Sequence, residues 1–252
     1  MENVERKTVG QSDCEMWKQL RKGRVSASRI NEHFENLRKG GAMRVRSRFN
    51  SSSSAIYTGY VQQCMNWGKR MEKYAIQKYE QFTGLKVTPC GLHVLSEDER
   101  ICASPDGKVL AEDGNCQLLI EVKCPFSKRT KTIKECVDSG RFYLKRRRSF
   151  HKQREDNTPL HPVWNKLGEI KYFLDRSHPQ GARIYDQIQL QLHCVGGVRE
   201  CHLVVFTKCS LAVVPVLLDE SFRDRLNRLM RIIPPLAEDR KVDVVSDISS
   251  SL

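Results

Sequence analysis

Residues 118–125 read LLIEVKCP, and this stretch constrains the fold more than any other. Its apolar residues, closed by Cys124 and Pro125, predict a buried strand, yet it carries Glu121 and Lys123. Side chains alternate along a strand, so Glu121 and Lys123 share one face and Val122 takes the other. A lone buried Glu or Lys is costly. A Glu–Lys pair on one face, with a further acid near it, points to a site instead. The turn SPDG leads into a short strand at 107–110, and EDGN leads into the strand at 117–123. If the two pair as a hairpin, Asp106 at the start of the first lies close to Glu121 near the end of the second.

Two carboxylates at short range repel, and one holds a proton unless a cation intervenes. Mg²⁺, with Mn²⁺ as its substitute, suits one or two carboxylates completed by waters and a substrate phosphate. The Val122 carbonyl adds a ligand if that strand edge is open. Lys123 cannot ligate a cation. It can orient or help deprotonate a water, or steady charge building on a phosphate. These are the parts of metal-assisted phosphodiester hydrolysis. The plainer reading is an exposed hairpin with a surface ion pair. The LLI run and the Cys124–Pro125 close weigh against it.

Around the hairpin the pattern is mixed. A Ser12–Glu15 capping box predicts a helix to about Lys22, and Ser26 is a candidate N-cap for a second helix over 27–37. Residues 38–54 are basic, then Ser-rich, and read as a mobile loop. Val61, Cys64, Gly68, Met71, Ala75, Tyr79 and Phe82 recur at helical spacing over 58–82, with Gly84 as the C-cap. Strand-like pieces at 91–95, 100–103, 107–110 and 117–123 read as an antiparallel meander. A helix over 184–195, strands at 201–207 and 211–217 and an amphipathic helix over 219–233 follow. Pro215 suits an edge strand. Strands clustered in pairs and flanked by helices argue an α/β sandwich. One domain spans 12–233, with 1–11 disordered, a basic insertion at 126–183 and a polar tail at 234–252.

The formal net charge of +13 suggests a polyanionic partner, nucleic acid first. Lys145, Arg146, Arg147 and Arg148 form the densest basic run. They read equally as a DNA track along phosphates or as a nuclear localisation signal. No apolar run is long enough to span a membrane. The ten cysteines include no CxxC pair and read as reduced thiols of an intracellular protein. Cys194, Cys201 and Cys209 with His193 or His202 match no common zinc finger.

Four blocks, in order, resemble one family. They are LRKGRVSASRI at 20–30, WGKRMEKYA at 67–75, ASPDG followed by LIEVKCP, and YDQIQLQL at 185–192. Together they resemble the lambda exonuclease or YqaJ-type viral recombinase branch of the PD-(D/E)XK nuclease superfamily. The resemblance implies a restriction-endonuclease-like core, a central mixed sheet flanked by helices. It makes Asp106 and Glu121 metal ligands and Lys123 the catalytic lysine. It brings Glu72 to a second ion or its water, brings Gln187 to the site, and has Arg21, Ser26 and Ser28 bind a terminal 5′-phosphate. Without it, Ser26 is a plain N-cap, Glu72 a solvated helix residue and Gln187 a surface amide. The implied activity is a 5′-to-3′ exonuclease on duplex DNA with free ends. A single-strand annealing partner, a trimeric ring and a viral or mobile-element origin come with it. An endonuclease or nickase on the same core, or an inactive DNA-binding recombination module, are the other readings.

Overall fold

A computed structural model describes residues 2–50, 58–146, 160–167 and 171–236 of the chain. The order is α1 (Glu2–Lys7), α2 (Glu15–Arg21), β1 (Val25–Ser26), α3 (Ile30–Asn50), α4 (Gly59–Thr83), β2 (His93–Leu95), β3 (Asp98–Ala103), β4 (Gly107–Leu110) and β5 (Cys116–Lys123). Then come α5 (Ile133–Asp138), β6 (Leu144–Arg146), α6 (Trp164–Leu167), β7 (Tyr172–Leu174), α7 (Pro179–Val195), β8 (Glu200–Phe206), β9 (Leu211–Leu217) and α8 (Phe222–Met230). Among the described residues no helix is long and apolar enough to cross a membrane.

The central sheet has the order β4–β5–β8–β9, with β5 and β8 parallel and the outer pairs antiparallel. Leu118 to Val122 are all buried, as expected of a strand covered on both faces. On one face Leu118, Ile120 and Val204 pack with Ala75 and Tyr79 of α4. On the other Leu119, Leu203 and Val205 pack with Ile188 and Leu192 of α7. The helical spacing of Trp67, Ala75, Tyr79 and Thr83 makes one buried stripe on α4. Gly84 ends it as predicted, at φ 76°, a left-handed conformation that glycine adopts without a Cβ penalty. β9 is an edge strand and holds Pro215, also as predicted.

Three expectations change. The strands from 93 to 123 are not one meander: β2 and β3 join β1 in a separate sheet, β1–β3–β2. The chain crosses between sheets at Ser104–Pro105–Asp106, where the Asp106 amide donates to the Ile120 carbonyl at 3.0 Å. Residues 38–50 are not a loop but continue α3 past a break at Gly40–Gly41, and Val45 is buried among Phe34, Leu226 and their neighbours. The N-terminus is not disordered but forms α1. Its backbone packs so closely on Gly91 that a Cβ there would lie 2.0 Å from the Glu5 carbonyl oxygen. Thr8 is fully buried, and its hydroxyl accepts from the Leu92 amide at 2.8 Å. All these contacts are long-range, so no local pattern announces them.

Candidate active site

The edge of β5 is open where β4 stops. Gly107 pairs with Ile120, and beyond it the Asp106 side chain replaces the missing strand: its Oδ2 accepts from the Val122 amide at 2.7 Å. The amide and carbonyl of one antiparallel residue point the same way, so the Val122 carbonyl faces this open edge too. Glu121 and Lys123 lie on the face covered by α7. The Lys123 ammonium donates to Glu121 Oε1 and, at 3.2 Å, to Gln187 Oε1. Gln187 Nε2 donates to Glu121 Oε1 at 2.7 Å, and Gln191 Nε2 donates to Oε2 at 2.6 Å. Gln187 and Gln191 are one helical turn apart, so both reach the same carboxylate.

The acids crowd each other. Burial, then the negative charges of Glu121 and Glu72, push the Asp106 carboxyl well above the usual range, despite Lys123 and the Val122 amide. Burial and Glu121 likewise raise Glu72, which α4 brings to the cluster. Burial would lower the Lys123 ammonium, but Glu121, Asp106 and Glu72 outweigh it and raise it. Three carboxylates thus stand against the Lys123 ammonium, with Lys69 acting more weakly on Glu72. Asp106, Glu121, Glu72 and the Val122 carbonyl offer only oxygen donors to one cleft, a chemistry that suits a hard divalent cation such as Mg²⁺, although their carboxylate oxygens do not all converge within 4.8 Å of one another.

These groups line a cleft of about 500 Å³, and Arg21 and Ser28 line it as well. Arg21 Nη2 donates to Ser28 Oγ at 3.3 Å, and its guanidinium lies 4.1 Å from the centre of the Trp17 ring. Trp17 is held by a 2.8 Å hydrogen bond from its Nε1 to Ser104 Oγ, beside the Asp106 turn. A guanidinium beside a hydroxyl offers donors of the kind that pair with an anion. Ser26 is buried behind Ser28, 3.3 Å from it between hydroxyl oxygens, and makes no side-chain cap to the turn that follows. The predicted Ser12 capping box is absent too: Cys14 stands at the start of α2, and Ser12 lines the cleft.

The structure thus brings together Asp106, Glu121, Val122, Lys123, Glu72 and Gln187, with Arg21 and Ser28 in the same cleft. It does not bring Lys145 and Arg146 there. They lie on β6 in the small β6–β7 sheet, and Lys145 pairs with Asp175 at 2.9 Å. Arg147 and Arg148 fall outside the described residues. Residue-level reading missed Gln191, Trp17 and Lys69. Gln191 was within reach: it follows Gln187 by four on a helix.

The YqaJ-like viral recombinase domain matches residues 16–141. The alkaline nuclease of Orgyia pseudotsugata multicapsid polyhedrosis virus is 29% identical over 225 residues, covering 87% of this chain and 46% of its own. The chain thus spans about half the length of the curated relatives it matches. LHK-Exo of Laribacter hongkongensis, solved in complex with dAMP, superposes with a TM-score of 0.53 at 20% identity, covering 86% of this chain and 90% of its own. The SOX protein of Kaposi's sarcoma-associated herpesvirus, in its DNA complex, gives a TM-score of 0.54 at 16% identity, covering 91% of this chain and 69% of its own. These two likenesses show a shared fold.

Proposed function

The chain belongs to the YqaJ-like viral recombinase family, and from that premise we propose that it is a metal-dependent deoxyribonuclease that degrades linear duplex DNA from its ends, 5′ to 3′. One observation carries the reading: the crowded acids and Lys123 share a cleft with Arg21 and Ser28. Chemistry and a recognition point for a strand terminus then lie within one substrate's reach.

The residues divide the work. Asp106, Glu121 and the Val122 carbonyl would hold Mg²⁺, and Glu72 would hold a second ion or its water. A cation held there would supply charge against the phosphoryl oxygens and make a bound water a stronger nucleophile at neutral pH. Gln187 and Gln191 orient the Glu121 carboxylate from α7. Lys123, beside Glu121 and Gln187, would position the attacking water or steady the developing phosphoryl charge. Arg21 and Ser28 seat the 5′-phosphate, and Ser26 orients Ser28 from behind. The product of this reaction is a 3′ single-stranded tail, the substrate of an annealing protein in virus-encoded recombination.

The test is a digestion time course on linear duplexes carrying 5′-phosphate or 5′-hydroxyl, with a closed circle as control, in Mg²⁺ and in chelator. Metal-dependent loss of the 5′-phosphorylated strand, with the circle intact, is the expected result. Cutting of the circle would replace the end-dependent reading by an endonuclease on the same residues. No products under any condition would leave only a DNA-binding module.

A further inference from the structure

Away from the cleft, α1 carries Glu5 against Cys90 and His93, and the three ligating atoms converge. Cys90 Sγ lies 3.5 Å from Glu5 Oε1 and 3.3 Å from His93 Nε2, and His93 Nε2 lies 3.5 Å from Glu5 Oε1. Tetrahedral zinc, with bonds of about 2.3 Å to sulfur and about 2.0–2.1 Å to nitrogen or oxygen, holds neighbouring donor atoms roughly 3.4–3.5 Å apart. The three atoms therefore make one face of a tetrahedron of that size. We propose that Glu5, Cys90 and His93 bind a zinc ion, with water in the fourth position. The site is independent of the nuclease reading.

A hydrogen-bonded cage is the competing account, and the contact that fits it least is the one between His93 and Glu5. Glu5 Oε1 already accepts from the Lys108 ammonium at 2.5 Å. The imidazole, 3.5 Å from that same oxygen, is too far for a good hydrogen bond to it; the thiol, also 3.5 Å away, lies at an ordinary sulfur hydrogen-bond distance, and all three atoms are well placed to share an ion. A carboxylate oxygen has lone pairs for both a cation and an ammonium. The donor set is also unlike that of the cleft. Thiolate, imidazole and carboxylate suit zinc, whereas the all-oxygen set suits Mg²⁺. Binding releases the Cys90 proton, and the resulting thiolate and the Glu5 carboxylate offset most of the charge of the ion and the Lys108 ammonium.

The surrounding backbone is built to hold the ligands there. Gly91 admits the Glu5 carbonyl where no side chain would fit. Gln11 then links the arm to the catalytic turn: its Nε2 donates to the Cys90 carbonyl at 2.9 Å and to the Pro105 carbonyl, next to Asp106, at 2.8 Å. The ion pins the N-terminal arm, and through Gln11 it steadies the turn that presents Asp106.

The test uses the full chain, loaded with zinc and desalted, and the same chain loaded with Co²⁺. About one zinc per chain should survive desalting, and the cobalt form should show tetrahedral visible bands with a thiolate-to-cobalt charge-transfer band. Cys90→Ser should abolish the charge-transfer band and lower zinc retention at least about tenfold, and His93→Ala should lower retention likewise. Stripping with chelator should lower the melting temperature of the wild type, and zinc alone should restore it. Absence of the charge-transfer band in the wild type would overturn the proposal whatever the variants do. So would an unchanged band in Cys90→Ser, since another cysteine, such as Cys124 in the cleft, would then be the ligand.

Discussion

Glu121 on β5 and Glu200 on β8 are buried to 1% and 4% exposure on adjacent parallel strands, but on opposite faces of the sheet their surroundings differ. Glu200 is surrounded by donors. It accepts from the His161 amide at 2.6 Å, from Trp164 Nε1 at 2.7 Å and from His202 Nε2 at 2.8 Å. The Tyr79 hydroxyl, 2.7 Å from His202 Nδ1, completes the chain if His202 carries its proton on Nε2. Burial would raise the Glu200 carboxyl, but the bonds from His202, Trp164 and His161 hold it below its ordinary value. Glu121 also has three donors, yet it stands among Asp106 and Glu72, whose carboxyls it pushes up. A buried acid is thus not a site by virtue of burial. Donors satisfy Glu200 and make it structural, whereas the cleft keeps a repulsion that a bound proton or a cation relieves.

The largest expected effect separates the two acids directly. Glu121→Gln keeps the shape and removes the charge, and should slow cleavage by roughly 10³-fold while duplex binding stays within a few-fold. Single-turnover rates on labelled duplex, beside a binding titration, measure both. Glu200→Ala should leave the rate per folded molecule unchanged. It should instead cost about 3 kcal/mol of stability, because His202 and Trp164 lose their acceptor in the core. For a chain of this size that lowers the melting temperature by roughly 6–12 °C. If Glu200→Ala slowed cleavage as much as Glu121→Gln, the distinction between the faces would collapse.

A smaller effect appears in pH dependence, with opposite signs for the two faces. The folded carboxyl of Asp106 is raised, so without metal the folded state holds its proton more tightly than the unfolded chain does. Its ionisation destabilises the metal-free protein as pH rises from the unfolded value through the raised one. Asp106→Asn should therefore raise the metal-free melting temperature by a few degrees at pH 8, lose that advantage in acid, and lose most of it in saturating Mg²⁺. Glu200 is depressed, so its contribution is complete above the unfolded value and disappears as pH falls through the folded one. The stability deficit of Glu200→Ala should shrink in acid. Melting curves across pH, with and without Mg²⁺, would show both.

What could be read in the sequence divides along similar lines. Asp106, Glu121 and Lys123 lie in one hairpin, so strand alternation and a turn signal place all three together. Glu72 and Gln187 sit on distant helices, and motif resemblance found what periodicity could not. The sheet change at Pro105 was illegible, because a short strand followed by a turn looks the same whether the chain returns to its sheet or leaves it. Glu5, Cys90 and His93 were illegible for a stronger reason: Glu5 is 85 residues from Cys90, and only the bare backbone of Gly91 lets them meet. The same gap in local signal made α1 read as disordered.

Gln191 offers the finest probe of the comparison. It is fully buried, donates to Glu121 Oε2, and leaves its own Oε1 without a hydrogen-bond partner. Glu200's neighbours leave no such loose end on its carboxylate. Gln191→Leu removes both the donor and the unpaired oxygen, so its stability cost should be small, within about 1 kcal/mol. Glu121 would keep Lys123 and Gln187 on Oε1 but lose the only donor on Oε2 among the described residues. As a positioning residue Gln191 should therefore affect the rate modestly, about three- to tenfold, with a shift in the Mg²⁺ concentration needed for half-maximal activity. Gln191→Asn, too short to reach, should act like the leucine variant, while Gln191→His, if its ring donates to Oε2, should recover part of the loss. A rate change with no shift in the Mg²⁺ requirement would mean that Gln191 packs α7 against the sheet rather than orienting the carboxylate.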